Sequence, residues 1–517
     1  MRLLTLTDIK LPIEKSENEL LNIAKKRLGG KVEYLAIKKK SLDARDKNNI
    51  KYIYTIECAD YKPVKQMRVF ERLSENEQPT HSVMVVGSGP AGLFCALRLI
   101  EHGIKPILVE RGAAVEERER DIQTFFTDKK LNENSNVQFG EGGAGTFSDG
   151  KLNTQTHSPL NKEVLETFVR FGAPKEIEWL QKPHIGSDNL KTVVKNMRKY
   201  ILEKGGQVRF HTLLKDVKIE NGGLQSVVLQ SENGEETIPV SALVLAVGHS
   251  ARDTFATLEK RGVPMRQKDF AVGVRIEHLQ SSIGFAQYGK AYKLLPAADY
   301  KLVSHAHERA AFTFCMCPGG FVMPATSENG CVVTNGMSNY ARNGVNANSA
   351  LIAQVNRADF ADDSPLAGVR FQQKLERAAF ACGGNTYAAP VQLVGDFLKD
   401  KESSRFGEVQ PTYAAGTTFA DLRACLPQAV VQSLKAAILE MDKRLKGFAT
   451  SDAILTGVET RTSSPIRMER NENLQSIGVE RLYPCGEGAG YAGGITSSAA
   501  DGLRVATAIF NNFKQNL

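Results

Sequence analysis

The chain has a single tryptophan among 517 residues, no apolar run of membrane-spanning length, and no internal repeat or low-complexity tract. Each absence excludes something. The longest apolar runs, such as Ala242 to Val247, fall far short of the roughly 20 residues a membrane helix needs, so no membrane span is expected. The opening Met1 to Asp8 meets an acid, and Pro12 follows, before a signal-peptide core can develop; it reads as a first strand. Without an export signal, a reducing, cytoplasmic setting is expected, and the eight cysteines read as thiols rather than a disulfide framework. Lone Trp179 reads as a packing residue. The missing repeats set aside solenoids and propellers.

What is present is globular. Hydrophobic residues make up 42% and charged residues 24%, and the length calls for two or three domains. The net charge is +8, of which residues 1–80 carry +5, from 17 Lys/Arg against 12 Asp/Glu. The run Lys38-Lys39-Lys40 is either a surface for nucleic acid or an acidic partner, or a solvated strand end. It lacks the interleaved aromatics of a single-strand stacking platform.

Residues 1–78 read as a small α+β unit. Ser16-Glu17-Asn18-Glu19 has the form of a capping box, apolar Leu20, Leu21, Ala24 and Leu28 follow at helical spacing, and strands are predicted over Lys31 to Ile37 and Ile50 to Cys58. Ser74 to Thr80 reads as a linker. A β-α-β unit then opens with the strand Val83 to Val86. The predicted division is an FAD-binding part over 79–265, a substrate domain over 266–464 and a closing FAD-binding part over 465–517.

Gly87-Ser88-Gly89-Pro90-Ala91-Gly92 has the form G-x-G-x-x-G. The pattern alone is weak, since Gly140 to Gly145 matches it too, but only the first copy follows a strand and opens a helix. There Gly87 makes the tight turn, Gly89 lets backbone approach a pyrophosphate, and Gly92 lets helix and strand pack. The helix N-terminus offers free N–H groups and a positive dipole end to phosphates. Glu110, 23 residues on, is placed to accept the adenosine ribose hydroxyls and to repel a 2′-phosphate, although Arg111 beside it weakens that exclusion. A second acid–glycine turn, Cys485-Gly486-Glu487-Gly488, precedes Gly493-Gly494 and a helix from Ile495. Glu487 can meet a ribityl hydroxyl, and the N-terminus of that helix can face a flavin, so FAD rather than NAD is the expected cofactor.

Six stretches together resemble a family of largely uncharacterised bacterial FAD-dependent dehydrogenases. They are GSGPAG with Glu110, Asn136 to Leu152, Ala246 to Phe255, Thr313 to Gly320, Glu459 to Arg467, and Tyr483 to Ile495. The resemblance covers nearly the whole chain. It implies an α/β fold with a Rossmann-like FAD/NAD(P)-binding domain of glutathione-reductase type, split in sequence by an α+β substrate domain and preceded by a small α+β domain. It implies that Gly142, Gly143, Ala144, Gly145, Thr146, Phe147 and Ser148 form a loop near the pyrophosphate and isoalloxazine. It further implies that Leu214 meets the adenine through its backbone, and that Ala246 and Gly248 close a strand beside the cofactor. Three departures matter. The late turn carries Glu487 where aromatic hydroxylases carry Asp, no cysteines are separated by two or four residues as in disulfide reductases, and no second glycine fingerprint marks a nicotinamide domain.

For catalysis the candidates are Cys315, Cys317, His249 and Arg461. Cys315 and Cys317 alternate in a predicted strand, so both thiols should face one way, either as a strained dithiol beside the flavin or as small packing residues. His249 and Arg252 follow a strand end, where ligands gather in such sheets. Arg461, with Ser463, Ser464 and Arg467, is either an anion-binding group or a pin at the domain junction. His305, His307 and Arg309 are weakly spaced for a metal, and none is expected. The expected activity is that of an FAD-dependent oxidoreductase using two-electron transfer. Its partners are a small-molecule substrate and a transient electron donor, NAD(P)H among the choices. The alternatives are a nucleic-acid-associated or RNA-modifying flavoprotein recruiting through the basic N-terminal unit, and a redox-responsive binding module without turnover.

Overall fold

The computed structural model describes residues 1–64, 68–154 and 156–515. Its fold is mixed α/β, organised on two large sheets with a cavity between them. The first is a five-stranded parallel sheet in the order Leu482–Pro484, Ala242–Leu245, Val83–Val86, Ile107–Val109, Gln207–Arg209. Its central strands, VMVV and ALVL, are buried at every residue, as expected where both faces are covered. The helix Pro90–Glu101 and the last helix, Ile495–Gln515, cover one face side by side. They cross closely because Gly502 has no side chain: a Cβ there would lie 2.1 Å from the Ala91 carbonyl oxygen.

The second sheet has seven strands in the order Val303–Ser304, Ala311–Cys317, Asn346–Val355, Phe270–Leu279, Ile454–Glu459, Ala389–Leu393, Thr417–Phe419. Its neighbours pair antiparallel except for the last pair. In Phe270–Leu279 the period-2 alternation puts Val272, Val274 and Ile276 into a core with the helices Ala367–Cys382 and Gln428–Arg444. The opposite side of that strand carries Arg275 and Glu277, both fully buried and therefore in need of partners.

The N-terminal unit is a three-stranded antiparallel sheet in the order Leu3–Pro12, Lys51–Ala59, Tyr34–Asp43. The helix Glu19–Leu28 packs Leu20, Ala24 and Leu28 on Tyr54, Ile56 and Cys58. No capping box forms there. Asn18 is the N-cap without a side-chain bond, because the Ser16 hydroxyl instead accepts from Asn18 N at 3.2 Å. The lysine run lies within a strand rather than at its end: Lys38 pairs with Glu57, and Lys40 pairs with Glu17 and stacks over Tyr52. Lys40 N also donates to the carbonyl of half-buried Trp179, joining this sheet to the rest of the chain. Ser74 to Thr80 holds one turn of 3-10 helix, Glu75–Glu77.

Candidate functional site

A cavity of about 230 Å³ runs between the C-terminal ends of the parallel strands and the polar side of the seven-stranded sheet. One end is built by the first glycine turn. Gly87 has φ +100° and a Cβ there would lie 2.3 Å from the Ala246 carbonyl oxygen, while a Cβ on Gly92 would lie 1.8 Å from the Gly87 oxygen. Only glycine fits either place. Gly89 is the N-cap of Pro90–Glu101, and Gly143 approaches it so closely that a Cβ on Gly143 would sit 3.1 Å from Gly89 Cα.

Glu110 lines the cavity and is almost fully buried. Its Oε2 accepts from Ser88 N and Ser88 Oγ, both at 2.8 Å, and its Oε1 accepts from Gly112 N and Gly140 N, both at 3.0 Å. The carboxylate thus ties both glycine turns together, and a ribose hydroxyl would have to share oxygens already in use. Arg111 forks onto Asp253 at 2.9 and 2.7 Å and lies over Phe139, so its charge is neutralised beside the cavity rather than offered to a phosphate.

The loop after Asn136 is shaped from behind by Arg118, a residue that the sequence reading passed over. Its fully buried guanidinium donates to the carbonyls of Asn136, Val137, Glu141 and Gly143 at 2.7–2.9 Å, and to Gly140 at 3.3 Å. Burial pulls this Arg down to about 10, with Glu110 and Glu141 working the other way. Phe147 sits under the same guanidinium.

Of the residues expected to meet the cofactor, Gly87, Gly89, Pro90, Ala91, Glu110, Arg111, Gly143, Ala144, Gly145, Ser148, Leu214, Ala246, Gly248, Glu487, Gly494 and Ile495 line the cavity. Ser88, Gly92, Gly142, Thr146, Phe147 and Gly486 do not reach it and instead hold the backbone behind it. Gly142 N donates to Ser88 O, and Gly486 N donates to buried Asp501.

At the far end Glu487 makes no side-chain hydrogen bond among the described residues, and burial pushes its carboxyl up to about 7 despite Lys268 nearby. Gly248, Gly493 and Gly494 line the cavity with nothing within 4 Å of where a Cβ would stand. An open crevice floored by glycine backbone, with an unpaired carboxyl over it, fits an FAD ribityl chain and ring. Glu487 and the N-terminus of Ile495–Gln515 would hold that part, and the turn at 87–91 the pyrophosphate.

The four candidate catalytic residues all line this cavity, though not as expected. Cys315 and Cys317 do not share a simple face. The strand bulges between Phe314 and Cys317, and Cys315 takes φ +42°, which breaks the alternation. The Cys315 side chain opens onto the cavity although it lies deep in the molecule, and burial pushes its thiol up to about 12. Cys317 is buried, its thiol donates to Cys315 O at 3.3 Å, and burial raises it as well. Both are therefore protonated at neutral pH. His249 is held neutral: burial, then Arg461 and Arg252, lower it to about 3, and its Nδ1 lies 3.0 Å from Ser250 Oγ.

Arg461 is engaged elsewhere. It bonds Glu376 through Nε (3.2 Å) and Nη2 (2.9 Å), and Nη1 donates to Ser250 and Ser327, leaving no open fork for a substrate carboxylate. Glu376 also receives Arg252 at 2.7 and 2.9 Å and the Thr460 hydroxyl at 2.7 Å. This fully buried carboxylate pins the start of the helix Arg252–Lys260, the helix Ala367–Cys382 and the chain following Ile454–Glu459 to one another. Beneath the cysteines, Arg275 forks onto Glu459 at 3.0 and 2.9 Å and donates to Cys315 O, Asn335 and Asn348. In the stretch from His305 to Arg309, His307 Nδ1 lies 3.3 Å from Ser433 Oγ and Arg309 forks onto Asp359.

Comparison with known proteins agrees on the cofactor. The family described as "FAD-dependent protein, C-terminal domain-like" matches residues 269–462, an FAD binding domain matches 80–121, and a domain of unknown function matches 4–59. An uncharacterized protein of Clostridium beijerinckii is 47% identical over 528 residues, covering 99% of this chain and 98% of that one. Among solved structures, a geranylgeranyl bacteriochlorophyll reductase-like protein of Thermoplasma acidophilum matches 84% of this chain and 79% of its own, with 11% identity and a TM-score of 0.38. The flavin-dependent halogenase CmlS matches 84% of this chain and 59% of its own, with 12% identity and a TM-score of 0.39.

Proposed function

The chain belongs to the family of FAD-dependent proteins, and on that premise we propose that it is an oxidoreductase acting on a small molecule held between the parallel sheet and the seven-stranded sheet. In this reading the layout is of the glutathione-reductase type, with the FAD-binding part split around the middle domain. The observation that carries it is the continuity of the cavity. The dinucleotide turn at 87–91 stands at one end, and Lys151, Cys315, Cys317 and Asn335 line the other.

Bound FAD supplies the capacity to take up and pass on an electron pair. The chain's own residues do the rest. Gly143 and Gly89 bring backbone to the pyrophosphate, and Glu487 orients the ribityl chain. The neutral His249 and the protonated Cys315 offer hydrogen bonds to a substrate without adding charge. Buried Glu376, gripping Arg252 and Arg461, keeps the two walls of the cavity in register. The decisive test is anaerobic mixing of the purified yellow protein with NADH and NADPH in parallel, followed by a screen of oxidants. Bleaching by either donor and recovery by an organic oxidant are expected; a protein that holds no flavin refutes the reading.

A further inference from the structure

Three cations cluster where the middle domain closes over the cavity: Arg275, Arg342 and Lys151. Two are neutralised in place. Arg275 is forked onto Glu459, and Arg342 onto Asp149 at 2.9 and 2.5 Å. Lys151 is different. Its Nζ is sealed from the surface and makes no hydrogen bond among the described residues. It shares one carboxylate with Arg342: Asp149 Oδ2 lies 3.4 Å from Nζ, an ion pair without a hydrogen bond. The backbone of Lys151 is bridged to His184.

Neither the thiols nor His184 supplies a negative charge there. Burial raises both cysteine thiols, and His184 is held neutral by burial and by Arg342. Of the other cavity carboxyls, Glu110 is taken up by Ser88, Gly112 and Gly140, and Glu487 feels Lys268 rather than Lys151. Two carboxylates, Glu459 and Asp149, therefore face three cations, and the excess is one positive charge at Lys151, whose side chain lines the cavity with Cys315, Cys317 and Asn335. A buried ammonium that shares its counter-ion with a guanidinium is under-compensated, and a ligand bringing a single negative charge relieves that.

We propose that Lys151 anchors a carboxylate group of the substrate, so that the protein oxidises or reduces a small carboxylic acid seated against the flavin end of the cavity. A monoanion matches the single excess charge better than a phosphate dianion does, and Asn335 supplies a neutral amide for the rest of the molecule. The inference rests on the oxidoreductase reading above.

The test uses the FAD-loaded full-length protein titrated with benzoate and, separately, with its neutral isostere benzamide, reading the visible flavin spectrum. Benzoate should perturb the spectrum saturably and bind at least tenfold tighter than benzamide. Lys151→Met should weaken benzoate at least tenfold and abolish that preference, while Lys151→Arg should keep it. A yellow wild-type protein that ignores benzoate, or does not discriminate acid from amide, overturns the anchor. So does a Lys151→Met protein with unchanged benzoate binding and a lowered flavin midpoint potential, which would assign the ammonium to the ring. If Lys151→Met fails to hold flavin, the acid–amide comparison in wild type and Lys151→Arg still decides. Wild-type protein that takes up no FAD is a separate failure, of the functional reading itself.

Discussion

Replacing Glu376 by Gln removes one negative charge from between two guanidinium groups and leaves both buried. In the wild type the carboxylate accepts four bonds from Arg252 and Arg461 and one from Thr460, and it is fully buried. Glutamine keeps one acceptor oxygen and turns an N–H₂ toward an arginine. Removing one partner of such a buried pair costs about 3–5 kcal/mol, a large share of the roughly 5–15 kcal/mol that holds a folded protein together. Arg252 retains Glu328 at 2.6 Å, so the lower part of that range is expected. Burial favours the neutral acid of Glu376, but Arg252 and Arg461 outweigh it and hold the carboxyl well below its ordinary range. A depressed acid stabilises the fold above its unfolded pKa, and that contribution fades as pH falls. The gap between wild type and Glu376→Gln should therefore be full at neutral pH and begin to narrow only below about pH 4.5, closing at far lower pH. Urea unfolding of the holoprotein, followed by circular dichroism and flavin fluorescence across pH, measures both. A variant within about 1 kcal/mol of wild type at pH 7 would refute Glu376 as the pin between the cavity walls.

Gly92→Ala places a methyl 1.8 Å from the Gly87 oxygen, whose residue is held by Val109, so the purified protein should emerge colourless. Gly493→Ala, which meets nothing within 4 Å, should leave the melting of the apoprotein unchanged. Arg118→Lys offers at most three donors from one atom where five bonds now reach separate carbonyls, so flavin should dissociate at least tenfold more readily, read by equilibrium dialysis. Glu487 has a raised pKa of about 7, so the folded apoprotein keeps a proton that the unfolded chain loses near 4.5. Wild-type stability should thus fall as pH rises between those values, by at most about 3 kcal/mol, and Glu487→Gln should lack that slope in thermal melts. Parallel melting profiles for the two proteins would refute it.

The features legible in the sequence are those encoded within a few residues. A strand, the glycine turn at 87–92 and an acid at 110 form one local unit, and so does the late turn leading to Ile495. What escaped notice depends on long-range partners. Arg118 sits in VEERERD and looks like one more charge on a surface helix, yet its acceptors lie 18–25 residues further on. Arg275 and Glu459 are 184 residues apart, and Arg252 and Glu376 are 124 apart. Arg461 showed in the sequence as an arginine near serines, a pattern shared by anion sites and structural pins; only Glu376 distinguishes them. The cysteine pair misled for a different reason. Alternation assumes a regular ladder, and the left-handed φ at Cys315 inserts a bulge that no residue type there announces.

These two kinds of information divide the cavity as they divide the sequence. The glycine turn that marks the dinucleotide grip is encoded locally, and it identifies a cofactor rather than a reaction. Another part of the cavity is lined by 148–151, Cys315, Cys317, Asn335, Gly336, Glu459, Arg461 and Thr462, delivered by different parts of the fold. Its charges leave one positive in excess: Arg275 is matched by Glu459, Arg342 and Lys151 share Asp149, and His249 and the thiols are neutral. A negatively charged substrate is favoured there because the surrounding side chains have used their carboxylates on one another, and no change in the glycine turns would alter that preference.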